Sequence, residues 1–189
     1  MAGVNKAIER RGGKYAAKLH SAMKEKLSTG PNLSADEKAE GMVSGLVSSA
    51  SQLIEKGIGG VMLLRELWFN PQGFDKHLEK RIAINHVKNA EDFARKTFDV
   101  LDSADRVTVA LPRQEGGMTT GMMRLTSGEW VVLLAENGKI ITSYQFEPGK
   151  DTFVERHTRL GDDINVYDIP EETRRILERL FGHAGLLGR

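Results

Sequence analysis

The fold is decided by residues 129–146, which read EWVVLLAENGKIITSYQF. Two runs rich in β-branched and aromatic residues flank Asn137-Gly138, a dipeptide that favours a two-residue hairpin turn. The stretch therefore predicts two antiparallel strands, one over 129–135 and one over 139–146.

Further elements follow on either side of this hairpin. Upstream, 106–111 and 121–125 have strand-like composition, and 74–81 and 89–101 carry apolar residues at helical spacing. Downstream, residues 170–180 begin with a proline and two glutamates and then carry an apolar stripe, which indicates a last helix. Together these segments predict an α+β fold, in which helices pack on an antiparallel sheet of about four strands.

The N-terminal third is predicted to be helical. Helical patterns occupy 5–27, 36–55 and 61–68, and Ser34 and Glu37 have the spacing of a capping box before the second of them. Asn70-Pro71 is the clearest break, because proline lacks an amide donor and disfavours a helical residue before it. We therefore expect a helical segment over 1–69 and a small α+β domain over 70–189.

Composition excludes several classes of site. The chain has no cysteine, so a disulfide framework, a thiol nucleophile and cysteine-ligated metals are ruled out. The glycines of 57–60 follow a helix rather than a strand, so they lack the context of a phosphate loop. His77 and His86 are nine residues apart with no carboxylate at a ligating interval. We expect no metal, no cofactor and, because no apolar run approaches about 20 residues, no membrane span.

Charge is unevenly distributed along the chain. Residues 1–26 contain seven Lys/Arg and two Glu, so this N-terminal segment has a net charge of +5 and the remainder of the chain is nearly neutral. Residues 74–163 contain thirteen Lys/Arg and fifteen Asp/Glu, a net charge of −2. A nucleic-acid-binding surface in that part must therefore have its basic residues segregated from its acidic ones.

The residues that could carry chemistry fall in two places. One is the predicted helix over 74–81, which holds a histidine among cations: Lys76, His77, Lys80 and Arg81. The other is the predicted sheet and its loops, with Arg113, Arg124, Thr142 and Tyr144. The period of two places Thr142 and Tyr144 on the same face of their strand.

The order of these motifs resembles the C-terminal nuclease domains of bacterial contact-dependent inhibition and other polymorphic toxins, within the barnase/EndoU/colicin D/RelE fold group. Those domains commonly open with a Phe-x-Lys-His helix and close with a strand pair joined by a Gly-Lys turn and reading Ile-Ile-Thr. Phe74-Asp75-Lys76-His77 and Gly138-Lys139-Ile140-Ile141-Thr142 match this outline. The resemblance covers about half of the chain.

The resemblance implies a metal-independent endoribonuclease toxin that cleaves tRNA or another RNA through attack by the 2′-hydroxyl. His77, with an ordinary pKa of about 6.5, is the expected proton-transfer group. Thr142, Tyr144 and Arg113 complete the expected catalytic set, and Lys76, Lys80, Arg81 and Arg124 are expected to bind the RNA. The other histidines at 86, 157 and 183 are interpreted as structural or solvated, with His157 as the best substitute for His77.

Partners and location follow from the same implication. A ribonuclease toxin acts in the cytoplasm, requires a cognate immunity or antitoxin protein, and is delivered from another cell as part of a larger secreted protein; residues 1–69 would then serve delivery or partner binding. The alternative is a non-enzymatic α+β interaction module of a phage or mobile element. A nuclease requires His77 close to Thr142 or Arg113, whereas a binding module requires scattered polar groups and exposed apolar surface.

Overall fold

The computed structural model of the chain describes residues 34–111, 122–127, 130–146 and 152–182. Within them the helices are α1 (Ala35–Glu55), α2 (Gly60–Leu67), α3 (Pro71–Ala83), α4 (Ala90–Ser103), α5 (Thr152–Leu160) and α6 (Glu171–Phe181). The strands are β1 (Arg106–Leu111), β2 (Met122–Ser127), β3 (Trp130–Leu134), β4 (Ile140–Gln145) and β5 (Asp163–Asp168). The predicted helix over 5–27 lies outside the described residues, as do Arg113 and His183.

The strands form one antiparallel sheet in the order β4-β3-β2-β1-β5. The hairpin between β3 and β4 turns at Asn137-Gly138, as its sequence predicted, and Gly138 has the positive φ of 77° that such a turn needs. In the described part of the chain, β4 and β5 are the two edges of the sheet. The α+β class is therefore confirmed, with a fifth strand beyond the four predicted.

The main hydrophobic core lies on one face of the sheet. It joins Val132 and Leu134 of β3 to buried side chains of α1, α2, α4 and α6, among them Leu46, Leu64 and Phe98. This core includes side chains from both sides of the predicted joint at 70–71. Residues 34–69 and the rest of the described chain therefore share one core. That 1–69 and 70–189 have separate roles stays a prediction. A smaller cluster on the other face packs Phe153 of α5 against β3.

The start of α3 and the strand β5 add to what the sequence predicted. The break at Asn70-Pro71 is the start of a new helix: Asn70 caps α3 by accepting from the amide of Gln72, and Pro71 occupies its first turn. The helix thus begins three residues before the predicted 74–81 and includes Gly73. Strand β5, which begins at Asp163, was not predicted from the sequence. No helix among the described residues is long and apolar enough to cross a membrane.

The hairpin turn is pressed against α1, which gives a test of this packing. A Cβ added to Gly138 would lie 2.6 Å from the Met42 carbonyl oxygen and closer still to the Leu46 amide nitrogen, so Gly138→Ala combines a disfavoured φ with overpacking. We expect it to cost about 3 kcal/mol or more, a fall of roughly 6–12 °C in melting temperature. Thermal unfolding followed by circular dichroism measures it.

Gly57→Ala is the matched control. Gly57 has nearly the same φ of 79°, yet no described residue lies within 4 Å of its added Cβ. It should therefore cost only the backbone strain, about 1 kcal/mol. Equal destabilisation by the two substitutions would contradict the close contact between α1 and the hairpin.

Candidate functional site

Helix α3 lies along the free edge of the sheet, against β4. The chain just before the helix pairs with the start of this strand, because the amide of Phe69 donates to the carbonyl of Ile140 at 2.7 Å. Further along, Nε of Arg81 donates to the carbonyl of Ser143 at 3.1 Å. These two attachments cover edge groups that would otherwise be open to another strand, and they hold one face of α3 over β4.

His77 lies between these attachments and contacts the strand directly. Its Nδ1 is 3.2 Å from Oγ1 of Thr142, and its ring meets the indole of Trp68 edge-on, with the centroids 5.5 Å apart. The predicted proximity of His77 and Thr142 is therefore present in the structure. Among the described residues, none hydrogen-bonds Nε2 of His77.

Arg81 follows His77 by one helical turn and adds a fixed cation. Its guanidinium lies over the ring of Tyr144, with Cζ 5.5 Å from the centroid, while Nε is held by Ser143. Burial lowers the pKa of Arg81 and Tyr144 raises it, but a guanidinium stays charged at neutral pH. We call the group of His77, Arg81, Thr142 and Tyr144 the α3–β4 site.

The protonation state of His77 follows from its surroundings. Burial lowers the pKa of His77 below its ordinary value of 6.5, and the charges of Arg81 and Lys80 lower it further. The imidazole is therefore largely uncharged at neutral pH, which is the form that accepts a proton.

The other residues predicted for the site are distributed differently. Lys76 and Lys80 are exposed on α3, and Lys80 acts electrostatically on His77. Arg124 lies on β2 opposite Leu133, which is itself paired with Thr142, so its backbone is two strands away, roughly 10 Å. Arg113 lies outside the described residues. The structure thus brings His77, Arg81, Thr142 and Tyr144 together, while the backbone of Arg124 lies two strands away.

Two acidic side chains near the site are paired with arginines. Both carboxylate oxygens of Asp75 are bound by Arg65, at 2.6 and 2.9 Å, and Asp92 is bound by Arg95. Among the described residues, no acidic side chain contacts Arg81 or His77 by hydrogen bond or ion pair. His77 and Arg81 are thus not neutralised by a carboxylate of the described residues.

Two residues beside the site were missed in the sequence. His86, interpreted as structural or solvated, follows the end of α3, and Lys96 of α4 donates to its carbonyl at 2.6 Å. The sequence did contain a signal for the end of α3, because Asn85 follows the helical pattern and asparagine tolerates the left-handed conformation in which many helices end. In the structure, φ of Asn85 is 57°. Such an end turns the next residue back toward the helix.

His157, the predicted substitute for His77, has a different environment. It is almost fully buried on α5, its Nδ1 is 2.6 Å from a carboxylate oxygen of Asp162, and its ring packs on Phe153 at 4.5 Å. Both partners of His157 lie in α5 or just after it, so His157 has a structural role in holding this helix and its end together. Within the described part of the chain, no group of three or more acidic or histidine side chains could hold a metal ion.

A family model matches most of the described chain. The family model described as "Uncharacterised protein aq_aa01" matches residues 62–183, a stretch that contains the whole α3–β4 site. No curated protein and no solved structure matches the chain.

Proposed function

We propose that this chain, which belongs to the family described as Uncharacterised protein aq_aa01, is a metal-independent endoribonuclease whose catalytic centre is the α3–β4 site. The observation that carries the proposal is the contact between His77 and Thr142 at 3.2 Å, one helical turn from the half-buried cation of Arg81. An uncharged imidazole with a free nitrogen beside a fixed guanidinium suits proton removal next to a phosphate.

The proposed reaction begins at the 2′-hydroxyl of the RNA. Nε2 of His77 takes the proton of this hydroxyl while the oxygen attacks the adjacent phosphorus, and the bond from phosphorus to the 5′-oxygen breaks. The products are a 2′,3′-cyclic phosphate and a 5′-hydroxyl; the 5′-oxygen takes a proton from water, and His77 returns its proton to water before the next turnover. Thr142 orients the imidazole through Nδ1, which leaves Nε2 to face the RNA.

Charge builds on the phosphate during this attack, and the cations of α3 would stabilise it. Arg81 has terminal amino groups that no described residue binds, and Lys80 is exposed on the same helix. Hydrogen bonds from a cation to a phosphate are about twice as strong as neutral ones. The ring of Tyr144 packs against one face of the guanidinium, so Arg81 is already positioned before the RNA binds.

Purified protein incubated with total tRNA in EDTA tests this proposal. We expect discrete cleavage products on a denaturing gel that EDTA does not suppress. Intact tRNA after incubation over pH 5–8 would count against a ribonuclease, and activity restored only by added divalent cations would exclude the mechanism without metal.

A second candidate is the non-enzymatic interaction module. It is favoured by large apolar side chains that are more than one-third exposed: Met62, Phe69, Ile82, Ile84, Leu160 and Val166. These apolar side chains are spread over α2, α3, α5 and β5 and the segments next to them. The polar side chains His77, Arg81, Thr142 and Tyr144, in contrast, lie together in the α3–β4 site. The ribonuclease is therefore the function that the site supports best.

A ribonuclease of this kind would also need a partner. We propose a cognate immunity or antitoxin protein that covers Lys76, Lys80 and Arg81 with acidic side chains, since complementary charge speeds and orients association. Residues 1–69 would serve delivery of the toxin into the cytoplasm of another cell.

Expression of the chain alone should therefore slow cell growth, and His77→Gln should relieve the effect. Colony counts after induction measure it, with protein levels matched by immunoblot. Unchanged growth on expression of active enzyme would remove the reason for an inhibitor.

A further inference from the structure

Strand β4 contains one extra residue just before Thr142 of the α3–β4 site. Leu133 of β3 pairs with Thr142, whereas the next residue of β3 pairs with Ile140. Ile141 is therefore a bulge in the edge strand, and a bulge reverses which face of the sheet the following side chains take. Ile140 lies in the main core, so in a regular strand Thr142, two positions later, would face that core as well.

The burial of the neighbouring side chains shows the reversal. Ser143 is fully buried, and its cross-strand partner Val132 belongs to the main core. Leu133, the partner of Thr142, belongs to the smaller cluster on the other face. The bulge therefore turns Thr142 out of the main core and leaves its hydroxyl to Nδ1 of His77, 3.2 Å away.

Ser143 is attached to α4 by a buried pair of hydroxyl groups. Its Oγ lies 2.8 Å from Oγ1 of Thr97, and the same Oγ1 lies 2.8 Å from the carbonyl oxygen of Phe93. Because a carbonyl only accepts, Thr97 donates to Phe93 and Ser143 donates to Thr97. The carbonyl of Ser143 accepts from Nε of Arg81 at 3.1 Å. Ser143 thus joins α4 to the cation of the α3–β4 site.

Stability alone does not account for this hydroxyl pair. Replacing both partners of a buried hydrogen bond by apolar groups of the same shape is often nearly neutral for folding. A hydrogen bond differs from apolar packing in that it fixes both a distance and a direction. Such a bond is suited to hold the strand where a bulge has interrupted its regular pairing.

We propose that Thr97 and Ser143 are positioning residues of the α3–β4 site. Their hydrogen bond holds β4 just after the bulge, and this keeps Thr142 against His77 and the carbonyl of Ser143 against Arg81. The inference rests on the proposed ribonuclease function. Both residues are fully buried, so they act through the groups they hold and not by contact with RNA. A displacement of about 1 Å at a catalytic group can cost about 100-fold in rate.

Two variants of the full-length chain separate positioning from stability. Thr97→Val leaves the Ser143 hydroxyl without its acceptor, so the melting temperature should fall by about 3–10 °C. Thr97→Val combined with Ser143→Ala removes both hydroxyls, so the melting temperature should return to within a few degrees of the wild type. In tRNA cleavage, kcat should fall by about 10–100-fold in both variants, while KM changes by less than about threefold.

Thr97→Ser and Ser44→Ala are the comparisons. Thr97→Ser retains the hydroxyl and should keep kcat close to the wild type. Ser44→Ala removes a buried hydroxyl beside Tyr167 of β5, at the other edge of the sheet, and should leave kcat unchanged. A kcat that recovers together with the melting temperature in the double variant would overturn the positioning role, as would a change in KM alone.

The titration of His77 gives a measurement that needs no RNA. Burial, followed by the charges of Arg81 and Lys80, lowers the pKa of His77, and a loosened β4 exposes its ring to water. In the double variant, NMR of the imidazole should therefore show this pKa rising toward 6.5. A wild type that cuts no RNA would overturn the ribonuclease; a raised pKa would then still support the positioning role, and an unchanged pKa would overturn it.

Discussion

His77→Gln is expected to lower the rate of RNA cleavage by about 10²–10⁴-fold, the usual loss when a positioned acid or base is removed. The reason is that Nε2 of His77 is the proton acceptor that Thr142 orients from the other side of the ring, and the glutamine amide accepts no proton near neutral pH. Single-turnover rates at saturating RNA in EDTA measure the effect. The melting temperature should fall by only a few degrees, since one neutral hydrogen bond contributes about 1 kcal/mol.

Two other histidines serve as controls for His77. His183→Ala should change neither activity nor stability. His157→Ala should lower the melting temperature, because it leaves the carboxylate of Asp162 without its 2.6 Å partner, while the remaining folded protein keeps its rate of cleavage. Full activity in His77→Ala together with loss in His157→Ala would place the site on the other side of the sheet.

Arg81→Met is expected to reduce cleavage by about 10–100-fold, because a hydrogen bond from a charged group contributes about 1.5–3 kcal/mol where charge develops. The effect should appear in kcat more than in KM if Arg81 binds the phosphate most strongly during attack. Initial rates over a range of RNA concentrations separate the two parameters. A rise in KM alone would assign Arg81 to ground-state binding.

Arg81→Met should also change how the cleavage rate depends on pH, and the direction of the change can be predicted. His77 acts in its neutral form, so the rate rises with pH through the pKa of His77, which burial, Arg81 and Lys80 hold below 6.5. Arg81→Met removes one of the causes that lower this pKa, so the acid limb of the profile should move to higher pH. Arg81→Lys keeps the charge and should leave the limb near its original position. An acid limb that stays in place in Arg81→Met would exclude His77 as the titrating base.

Local signals in the sequence predicted much of the fold. Ser34 and Glu37 form the capping box that their spacing indicated, and Asn137-Gly138 makes the expected hairpin turn. The signals that failed are those with two local meanings. Asn70-Pro71 either ends a helix or begins one, and only the packing of α3 on the edge of β4 decides between them. Strand β5, with acidic residues at both ends and an exposed Val166, has too weak an alternation to stand out.

The site was predictable in its residue types but not in its assembly. The period of two placed Thr142 and Tyr144 together, and the spacing of four placed His77 and Arg81 on one helix face. The contact between the two pairs joins residues 65 positions apart and depends on how α3 docks, which no local pattern contains. The position of the His86 backbone was missed for a related reason, because it depends on the left-handed φ of Asn85 rather than on helical spacing.

The most direct test of the account is the chemistry of the cut ends. A short RNA is incubated with the wild-type chain in EDTA, beside the same RNA carrying a single 2′-deoxy sugar at the cleaved position, and the fragments are weighed by mass spectrometry. The account predicts a 2′,3′-cyclic phosphate and a 5′-hydroxyl from the first RNA, no cut at that position in the second, and no cut of either by His77→Gln. Fragments that end in a 5′-phosphate, or cleavage of the 2′-deoxy position at an equal rate, would contradict attack by the 2′-hydroxyl at the α3–β4 site.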